Sequence, residues 1–316
     1  MLASLLATSA FAAPAVAAGP VHRQTARQAG TLPHFSTFPT AFVASLANPD
    51  ADPPGANDWS CRPPAAHPRP VVLVHGTWEN AFDNWNELAP ELQADGYCVF
   101  APNLGGRPGE VLKGKAHIPD SSAQLAAYAD RVLAATGANQ VDLVGHSQGG
   151  GVLPRWYLKN DGGADRDNPA NSRVHQLIGI SPSNHGTNLD GLVYLAKALG
   201  LLYPIGQFGG QALADQVEDS EVNRALDEGG DTMPGVSCTT IVTRYDEVVT
   251  PYDHQYLKPG PDAPVDNITL QDVCALDHSN HIGSSYDPIA LRLVRNALDP
   301  TTAQQPDCLF IPPVFS

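Results

Sequence analysis

Short apolar runs recur along this chain, and amphipathic stretches of helical period separate them. Residues 71–74 read Val-Val-Leu-Val, the pattern of a strand buried on both faces of a parallel sheet. The alternation of such runs with helical stretches predicts an α/β fold with a mainly parallel central sheet flanked by helices. Strands are predicted at 70–77, 97–101, 141–144, 174–180, 239–243 and 268–273, and helices at 86–94, 120–136, 149–158 and 285–298.

One helix start carries a specific local pattern. Ser121 and Gln124 have the Ser-x-x-Gln spacing of a capping box, which predicts that this helix begins near Asp120. Gly137 is expected to end it.

The two ends of the chain differ from its middle. Residues 1–18 are small and apolar and end in Ala-x-Ala sites, the pattern of a secretory signal peptide, although no Lys or Arg precedes the apolar run. Pro14 and the short run argue against a membrane-spanning helix. We expect an extended N-terminal arm at 19–66, the main α/β domain at 67–299 and a C-terminal tail at 300–316.

The net charge of the 316-residue chain is −15, which excludes nucleic acid as a plausible partner because phosphates would be repelled. An acidic surface otherwise indicates solubility. The patterns above predict a secreted, extracellular protein with no transmembrane segment in the mature chain. They leave its oligomeric state open.

The most informative motif is Gly-His-Ser-Gln-Gly at residues 145–149, which directly follows a predicted strand and precedes a predicted helix. In this context G-x-S-x-G forms a nucleophile elbow that lifts the serine hydroxyl clear of the sheet. Gly145 and Gly149 must be small because their backbones nearly touch. The motif predicts that Ser147 is a nucleophile.

A serine nucleophile requires a base, and the base requires a carboxylate that orients it. In this type of fold the acid follows the serine along the chain, and the histidine comes last. Asp246 stands at the end of a predicted strand and is the favoured acid, with Glu247 as its competitor.

Three histidines lie beyond Asp246. His281 abuts the start of the last helix and precedes Gly283, so it is the favoured base. His278 is the alternative, and His254 is expected on the surface. The oxyanion needs backbone N–H donors, and Gln148 and Thr77 are the candidates. His75 is interpreted as a structural support for the loop that carries Thr77.

These motifs resemble secreted bacterial lipases of the lipase class 2 type, a group within the α/β-hydrolase superfamily. The resemblance covers roughly residues 50–310. It rests on Val-His-Gly-Thr-Trp, Gly-His-Ser-Gln-Gly-Gly, Ser-Pro-Ser-Asn-His-Gly-Thr, Thr-Arg-Tyr-Asp-Glu-Val-Val-Thr-Pro-Tyr and the earlier Pro-Pro-Gly-Ala-Asn-Asp-Trp-Ser-Cys.

A more distant similarity is to Candida antarctica lipase B, through Asp-Glu-Val-Val at residue 246 and through His281-x-Gly and Arg295-x-Ala-Leu298. The resemblance implies an α/β-hydrolase fold with Ser147, Asp246 and His281 as catalytic triad. It also implies Thr77 and Gln148 as oxyanion donors and the absence of any cofactor. The spacing of Cys and His residues likewise argues against a metal site.

Five cysteines are present, and a secreted chain favours disulfides. Cys61–Cys98 would clamp the arm and Cys274–Cys308 would clamp the tail, leaving Cys238 unpaired. The similarity to lipase B suggests the same two pairs. The rival scheme pairs Cys238 with Cys274 and leaves Cys308 free.

The strand–helix alternation is interrupted at about 185–230, where we expect a helical cap insertion whose apolar side lines an acyl pocket. The alternative is a set of ordinary helices packed on the sheet. The apolar residues that favour a cap are Leu189, Leu192, Val193, Leu195, Leu199, Leu201, Leu202, Tyr203 and Ile205.

Three functions remain open at this point. The favoured one is a carboxylic-ester hydrolase, meaning a triacylglycerol lipase or esterase that could also act on polyesters, with an ester or lipid substrate met at a lipid–water interface. An acyltransferase would use the same triad with an alcohol in place of water. A non-catalytic binding protein would typically lack a triad member or an elbow glycine, and all are present here.

Overall fold

The computed structural model describes residues 33–188 and 210–314, all within one compact unit, Thr31–Ser316. Its centre is a six-stranded sheet in the order β2-β1-β3-β4-β5-β6, in which every pair of neighbouring strands is parallel. The strands are β1 Val71–Val74, β2 Val99–Phe100, β3 Val141–His146, β4 Val174–Ile180, β5 Ser237–Val242 and β6 Val265–Thr269. The predicted α/β fold with a parallel sheet is therefore confirmed.

Helices cover both faces of the sheet, and each face has its own apolar core. The core on one face includes Leu125 and Leu153, and the core on the other includes Leu92 and Leu291. In the described residues the α-helices are α1 Phe38–Ser45, α2 Ala81–Trp85, α3 Leu88–Ala94, α4 Ile118–Thr136, α5 Val152–Asn160, α6 Gln211–Asp215, α7 Glu221–Asp227, α8 Leu270–Val273 and α9 Pro288–Leu298.

The predicted capping box is wrong. Helix α4 begins at Ile118, with Pro119 in its first turn, so Ser121 lies inside the helix and is buried. Proline fits the first turn because its missing N–H would have no partner there. Gln124 does not cap the helix either, since its side-chain oxygen accepts from the N–H of Gly105, 3.0 Å away.

Two other predicted boundaries differ from those in the structure. The strand predicted at 268–273 ends at Thr269, and Leu270–Val273 is a short helix. The last helix begins at Pro288, where the carboxylate of Asp287 accepts from the N–H of Ile289 at 2.8 Å. A carboxylate in this position satisfies an unpaired N–H of the first turn, so the cap rather than the apolar period determines the helix start.

The N-terminal arm is not extended throughout, because residues Phe38–Ser45 form helix α1. The aromatic ring of Phe38 is fully buried and lies edge-on to Tyr286, with ring centroids 6.2 Å apart. Burial of this ring stabilises a helix that has too weak a local pattern to be recognised in the sequence.

Two disulfides attach the ends of the described chain to the main domain. They are Cys61–Cys98 and Cys274–Cys308, and Cys238 is free and buried. The rival Cys238–Cys274 pairing is not formed. Burial raises the pKa of the Cys238 thiol to about 12, so this thiol is an inert core residue.

Several sequence expectations lie outside the described residues. They are the signal peptide at 1–18 and the apolar residues from Leu189 to Ile205 that favoured a cap. Of the remaining part of the predicted insertion, Gln211–Asp215 and Glu221–Asp227 are helices α6 and α7. Among the residues that the structure does describe, no helix is long and apolar enough to cross a membrane.

Candidate active site

The turn after β3 has the geometry of a nucleophile elbow. Ser147 has a φ of 55°, a left-handed conformation that is strained for a residue with a side chain. A Cβ at Gly145 would lie 1.7 Å from the carbonyl oxygen of Gly149, and one at Gly149 would lie 2.2 Å from that of Val74. Both elbow glycines are therefore required sterically by the close approach of the backbones.

A continuous hydrogen-bonded chain joins the three predicted triad residues. Nε2 of His281 lies 3.0 Å from Oγ of Ser147, and Nδ1 of His281 lies 2.8 Å from Oδ2 of Asp246. Each residue comes from a different loop at the carboxyl edge of the sheet, after β3, β5 and β6. The His281 and Asp246 side chains are essentially inaccessible to solvent. A buried serine, imidazole and carboxylate in this order can activate the serine hydroxyl.

The electrostatic environment favours the imidazolium form of His281 more than water does. Burial by itself would lower the pKa of His281, but the charge and hydrogen bond of Asp246 outweigh it and raise that pKa. Asp246 in turn is held by four donors. These are the N–H groups of Val248 and Val249 on Oδ1, and His281 and Gln255 on Oδ2.

The competing acid and the competing bases occupy other positions. Glu247 accepts from the backbone N–H of His281 at 3.3 Å and from the side chain of Asn280 at 2.7 Å, so it contacts the base loop but not the imidazole ring. His278 stacks on Tyr245, with ring centroids 4.8 Å apart. His254 is partly exposed and lies 3.2 Å from Glu218.

The loop after β1 lies beside Ser147. A Cβ at Gly76 would lie 3.0 Å from Cβ of Ser147, so the backbone of the residue before Thr77 lies close to the nucleophile. The Thr77 hydroxyl oxygen accepts a hydrogen bond of 2.9 Å from Nε2 of Gln216. The Thr77 hydroxyl proton is therefore not used in this hydrogen bond. Gln148 directs its own side chain away from the nucleophile, to the carbonyl of Gly114 at 2.8 Å.

His75 supports this loop, as its position suggested. Its Nε2 accepts from the N–H of Leu104 at 3.0 Å, and its Nδ1 faces the carbonyl oxygen of Gly76 at 2.9 Å. Burial lowers the pKa of His75 to about 4, so the ring is neutral and its proton is on Nδ1.

Two glutamines were not found from the sequence. Gln216 has both amide protons engaged, by Thr77 and the Ala212 carbonyl, and accepts from Ser183. Gln255 donates to Asp246 at 2.9 Å. No motif marks either residue. Only their placement in loops that face the carboxyl edge could have suggested them.

An apolar cluster adjoins the site. It is formed by residues that neighbour Thr77, Asp246 and His281 in sequence and by helix α1 of the arm. Its buried members are Phe38, Ala41, Trp78, Val248, Val249, Ile282 and Tyr286. Helix α1 of the arm is thus packed against residues that lie next to Thr77, Asp246 and His281 in the sequence.

One group of side chains in the described residues has the composition of a metal site, His185, Asp227 and Asp231, whose ligand atoms lie within 4.8 Å of one another. The guanidinium of Arg155 is 3.7 Å from Asp227 and 3.6 Å from Asp231. Both carboxylates also contact His185. Because the Arg155 guanidinium already compensates these carboxylates and His185 contacts both of them, we assign the cluster a structural role.

Parts of this chain are similar to known proteins. A family model described as alpha/beta hydrolase fold matches residues 69–203. A triacylglycerol lipase from Pseudarthrobacter phenanthrenivorans is 41% identical over 92 residues, which are 27% of this chain and 27% of that protein. A triacylglycerol lipase from Burkholderia plantarii is also 41% identical over 92 residues, which are 27% of this chain and 24% of that protein.

Among solved structures, Aspergillus fumigatus lipase B superposes with a TM-score of 0.60 at 23% identity, covering 81% of this chain and 57% of that chain. At this identity the likeness concerns the fold. The matched segments span only about a quarter of the length of the two curated relatives.

Proposed function

This chain is an α/β-hydrolase-fold protein, and on that premise we propose that it is a carboxylic-ester hydrolase of the lipase or esterase type. The observation that carries the proposal is the hydrogen-bonded chain from Ser147 through His281 to Asp246 at the carboxyl edge of the sheet. The 41% sequence identity of a 92-residue segment to each of two triacylglycerol lipases supports the same reaction class.

The proposed reaction follows from the roles these groups can take. Neutral His281 accepts the Ser147 proton while Oγ attacks the ester carbonyl carbon, and Asp246 stabilises the resulting imidazolium. The backbone N–H groups of Thr77 and Gln148 and the Thr77 hydroxyl would stabilise the oxyanion. His281 then protonates the departing alcohol, and water releases the acyl group from Ser147 by the same steps in reverse.

We further propose that the protein is secreted, that it is a lipase of the lipase class 2 type and that its substrates include triacylglycerols and, through the same ester chemistry, polyesters. The two disulfides support an oxidising compartment. The signal-like pattern of residues 1–18 supports export. The two curated relatives are both triacylglycerol lipases, which supports a triacylglycerol as the substrate.

The experiment is a hydrolysis profile on p-nitrophenyl esters of increasing chain length and on emulsified triacylglycerols, with wild type and Ser147→Ala. We expect ester hydrolysis by the wild type and a loss of several orders of magnitude in Ser147→Ala, with an unchanged melting temperature. A Ser147→Ala variant within tenfold of the wild type would contradict the assignment. A wild type inactive on all of these esters would contradict the function.

A further inference from the structure

Behind the triad lies a second buried acid–histidine pair, Glu79 and His146, to which the proposed reaction gives no role. Both side chains are essentially inaccessible to solvent, and Oε2 of Glu79 is 3.0 Å from Nδ1 of His146. Burying two ionisable groups together is unfavourable unless their remaining polar atoms are also satisfied. The partners of this pair therefore indicate what it holds in place.

Glu79 contacts the loop that carries the proposed oxyanion donor. The same oxygen, Oε2, accepts from the backbone N–H of Gly76 at 2.9 Å, one residue before Thr77. The approach is tight, since a Cβ at Gly76 would lie 2.5 Å from this oxygen. The carboxylate of Glu79 thus fixes the backbone beside Thr77.

His146 connects the elbow to the base loop. It immediately precedes Ser147, and its Nε2 lies 3.0 Å from the backbone carbonyl oxygen of His281. A carbonyl oxygen can only accept, so Nε2 of His146 carries a proton and donates it. The ring centroids of His146 and His281 are 5.0 Å apart.

The other ring nitrogen faces a carboxylate. Burial alone would raise the pKa of Glu79, but the charge and hydrogen bond of His146 outweigh burial and lower it, so Glu79 is ionised. The amide of Asn84 makes a longer contact of 3.3 Å with the same ring nitrogen, Nδ1, while its oxygen accepts from Gly76 at 3.2 Å. Of the two contacts of Nδ1, the one with Glu79 is the shorter.

We propose that Glu79 and His146 are positioning residues that tie the oxyanion loop, the nucleophile elbow and the base loop into one rigid unit. Each of the three parts has a direct bond in this network, through Gly76, through His146 itself and through the His281 carbonyl. The proposal rests on the proposed hydrolase function. A displacement of His281 by about 1 Å would be expected to lower turnover by about 100-fold.

Two amide substitutions separate the two bonds of His146. In His146→Gln the side-chain Nε2 stands near the position of histidine Nε2 and can still donate to the His281 carbonyl. In His146→Asn the side-chain Nδ2 stands near histidine Nδ1 and can reach Glu79 only. We expect His146→Asn to lower kcat by about 10- to 100-fold with KM within about twofold, and His146→Gln to retain most of the turnover. His175→Asn, at the opposite end of the sheet, is the matched control and should retain full activity.

A double-mutant cycle tests whether the pair acts as a unit. Glu79→Gln should lower kcat in the same direction as His146→Asn, and the double variant should be no slower than the slower single variant. Additive losses would show that the two residues act separately and would contradict the proposal. So would equal turnover of His146→Asn and wild type, or failure of His146→Gln to exceed His146→Asn.

A measurement without substrate tests the positioning role of Glu79 and His146 separately from the proposed hydrolase function. In protein labelled with ¹⁵N-histidine, NMR titration follows the ring nitrogens of His281 directly. We expect His146→Asn to shift the His281 titration and broaden its signals, because the ring no longer has one fixed position. An unchanged titration in a folded His146→Asn variant would overturn the positioning role even if the wild type hydrolyses esters. An inactive wild type with the shifted titration would instead overturn only the function.

Discussion

The same sheet carries a histidine–aspartate contact at each of its ends. At the carboxyl edge His281 and Asp246 are 2.8 Å apart, and at the amino end His175 and Asp142 are 3.0 Å apart. The distances are nearly equal, but the surroundings are not. The His281 side chain is 1% exposed, whereas that of His175 is 39% exposed.

The difference lies in what else each carboxylate and each ring contacts. Both oxygens of Asp142 also accept from the guanidinium of Arg69, at 3.0 and 3.1 Å, so a permanent cation already compensates its charge. Asp246 is held by neutral donors, and the far nitrogen of its histidine meets a serine in a strained turn. We therefore expect a histidine–aspartate contact to act in catalysis only when the carboxylate charge acts on the imidazole alone and a nucleophile completes the hydrogen-bonded chain.

Neutralising each carboxylate in turn should produce the largest difference between the two histidine–aspartate contacts. Asp246→Asn should lower kcat by about four orders of magnitude, because the amide no longer stabilises the imidazolium or the productive tautomer. Asp142→Asn should leave kcat within about twofold. Ester hydrolysis under saturating substrate measures both, and equal effects of the two substitutions would contradict the distinction.

The pH dependence of kcat/KM tests the electrostatic effect of Asp246 on His281. Asp246 raises the pKa of His281, so the imidazole is neutral, and able to act as base, only above that raised value. In the wild type, kcat/KM should therefore rise with pH through an inflection above 6.5, the ordinary value for histidine. The residual activity of Asp246→Asn should inflect at lower pH. An inflection in the wild type below that of Asp246→Asn would contradict the sign.

Substitutions in the loop that carries Thr77 should have the next largest effect on kcat. Thr77→Val keeps the backbone N–H and the side-chain shape but removes the hydroxyl that Gln216 orients, and should lower kcat by about 100- to 1000-fold with little change in KM. Gln216→Leu leaves the hydroxyl free to rotate and should lower kcat less, by about tenfold. An unchanged kcat in Thr77→Val would show that only the Thr77 backbone takes part.

The disulfide that attaches the C-terminal tail to the main domain can be removed without changing the proposed active site. Replacing Cys274 and Cys308 together by serine opens a loop with a sequence separation of 34 residues. The loop-entropy estimate predicts a loss of about 3–4 kcal/mol in the free energy of unfolding. Chemical denaturation measures it. A variant as stable as the wild type would show that this disulfide contributes nothing to stability.

The smallest expected effect is on thermal stability, through Asp287, which follows the His281 loop in the sequence. Burial, together with the nearby Asp277, raises the pKa of Asp287 to about 7. The neutral form is favoured by folding, so its stabilisation is complete below the ordinary value of 3.8 and is lost as pH rises through about 7. Asp287→Asn should raise the melting temperature by about 2–4 °C at pH 8 and by a smaller amount at pH 5. A gain confined to pH 5 would contradict this sign.

The predicted parts of the site come from local patterns. A buried run before Gly-His-Ser-Gln-Gly predicts the elbow, and the order of acid and histidine along the chain predicts Asp246 and His281. Gln216 could not be predicted, because it meets Thr77 across 139 residues and its role depends on how a distant helix packs. The start of α4 was misplaced for a related reason, since Ser121 is buried in the core instead of capping the helix. Local patterns give the nucleophile and its partners, whereas tertiary packing determines what orients them.

Covalent labelling with a fluorophosphonate tests the central claim most directly. The reagent reacts with a serine only when a base and oxyanion donors activate it. We expect one equivalent of label on the tryptic peptide that contains Ser147, and no label on Ser147→Ala or on protein unfolded beforehand. Label on a different serine, or an esterase-active protein that remains unlabelled at Ser147, would contradict the assignment of Ser147 as the nucleophile.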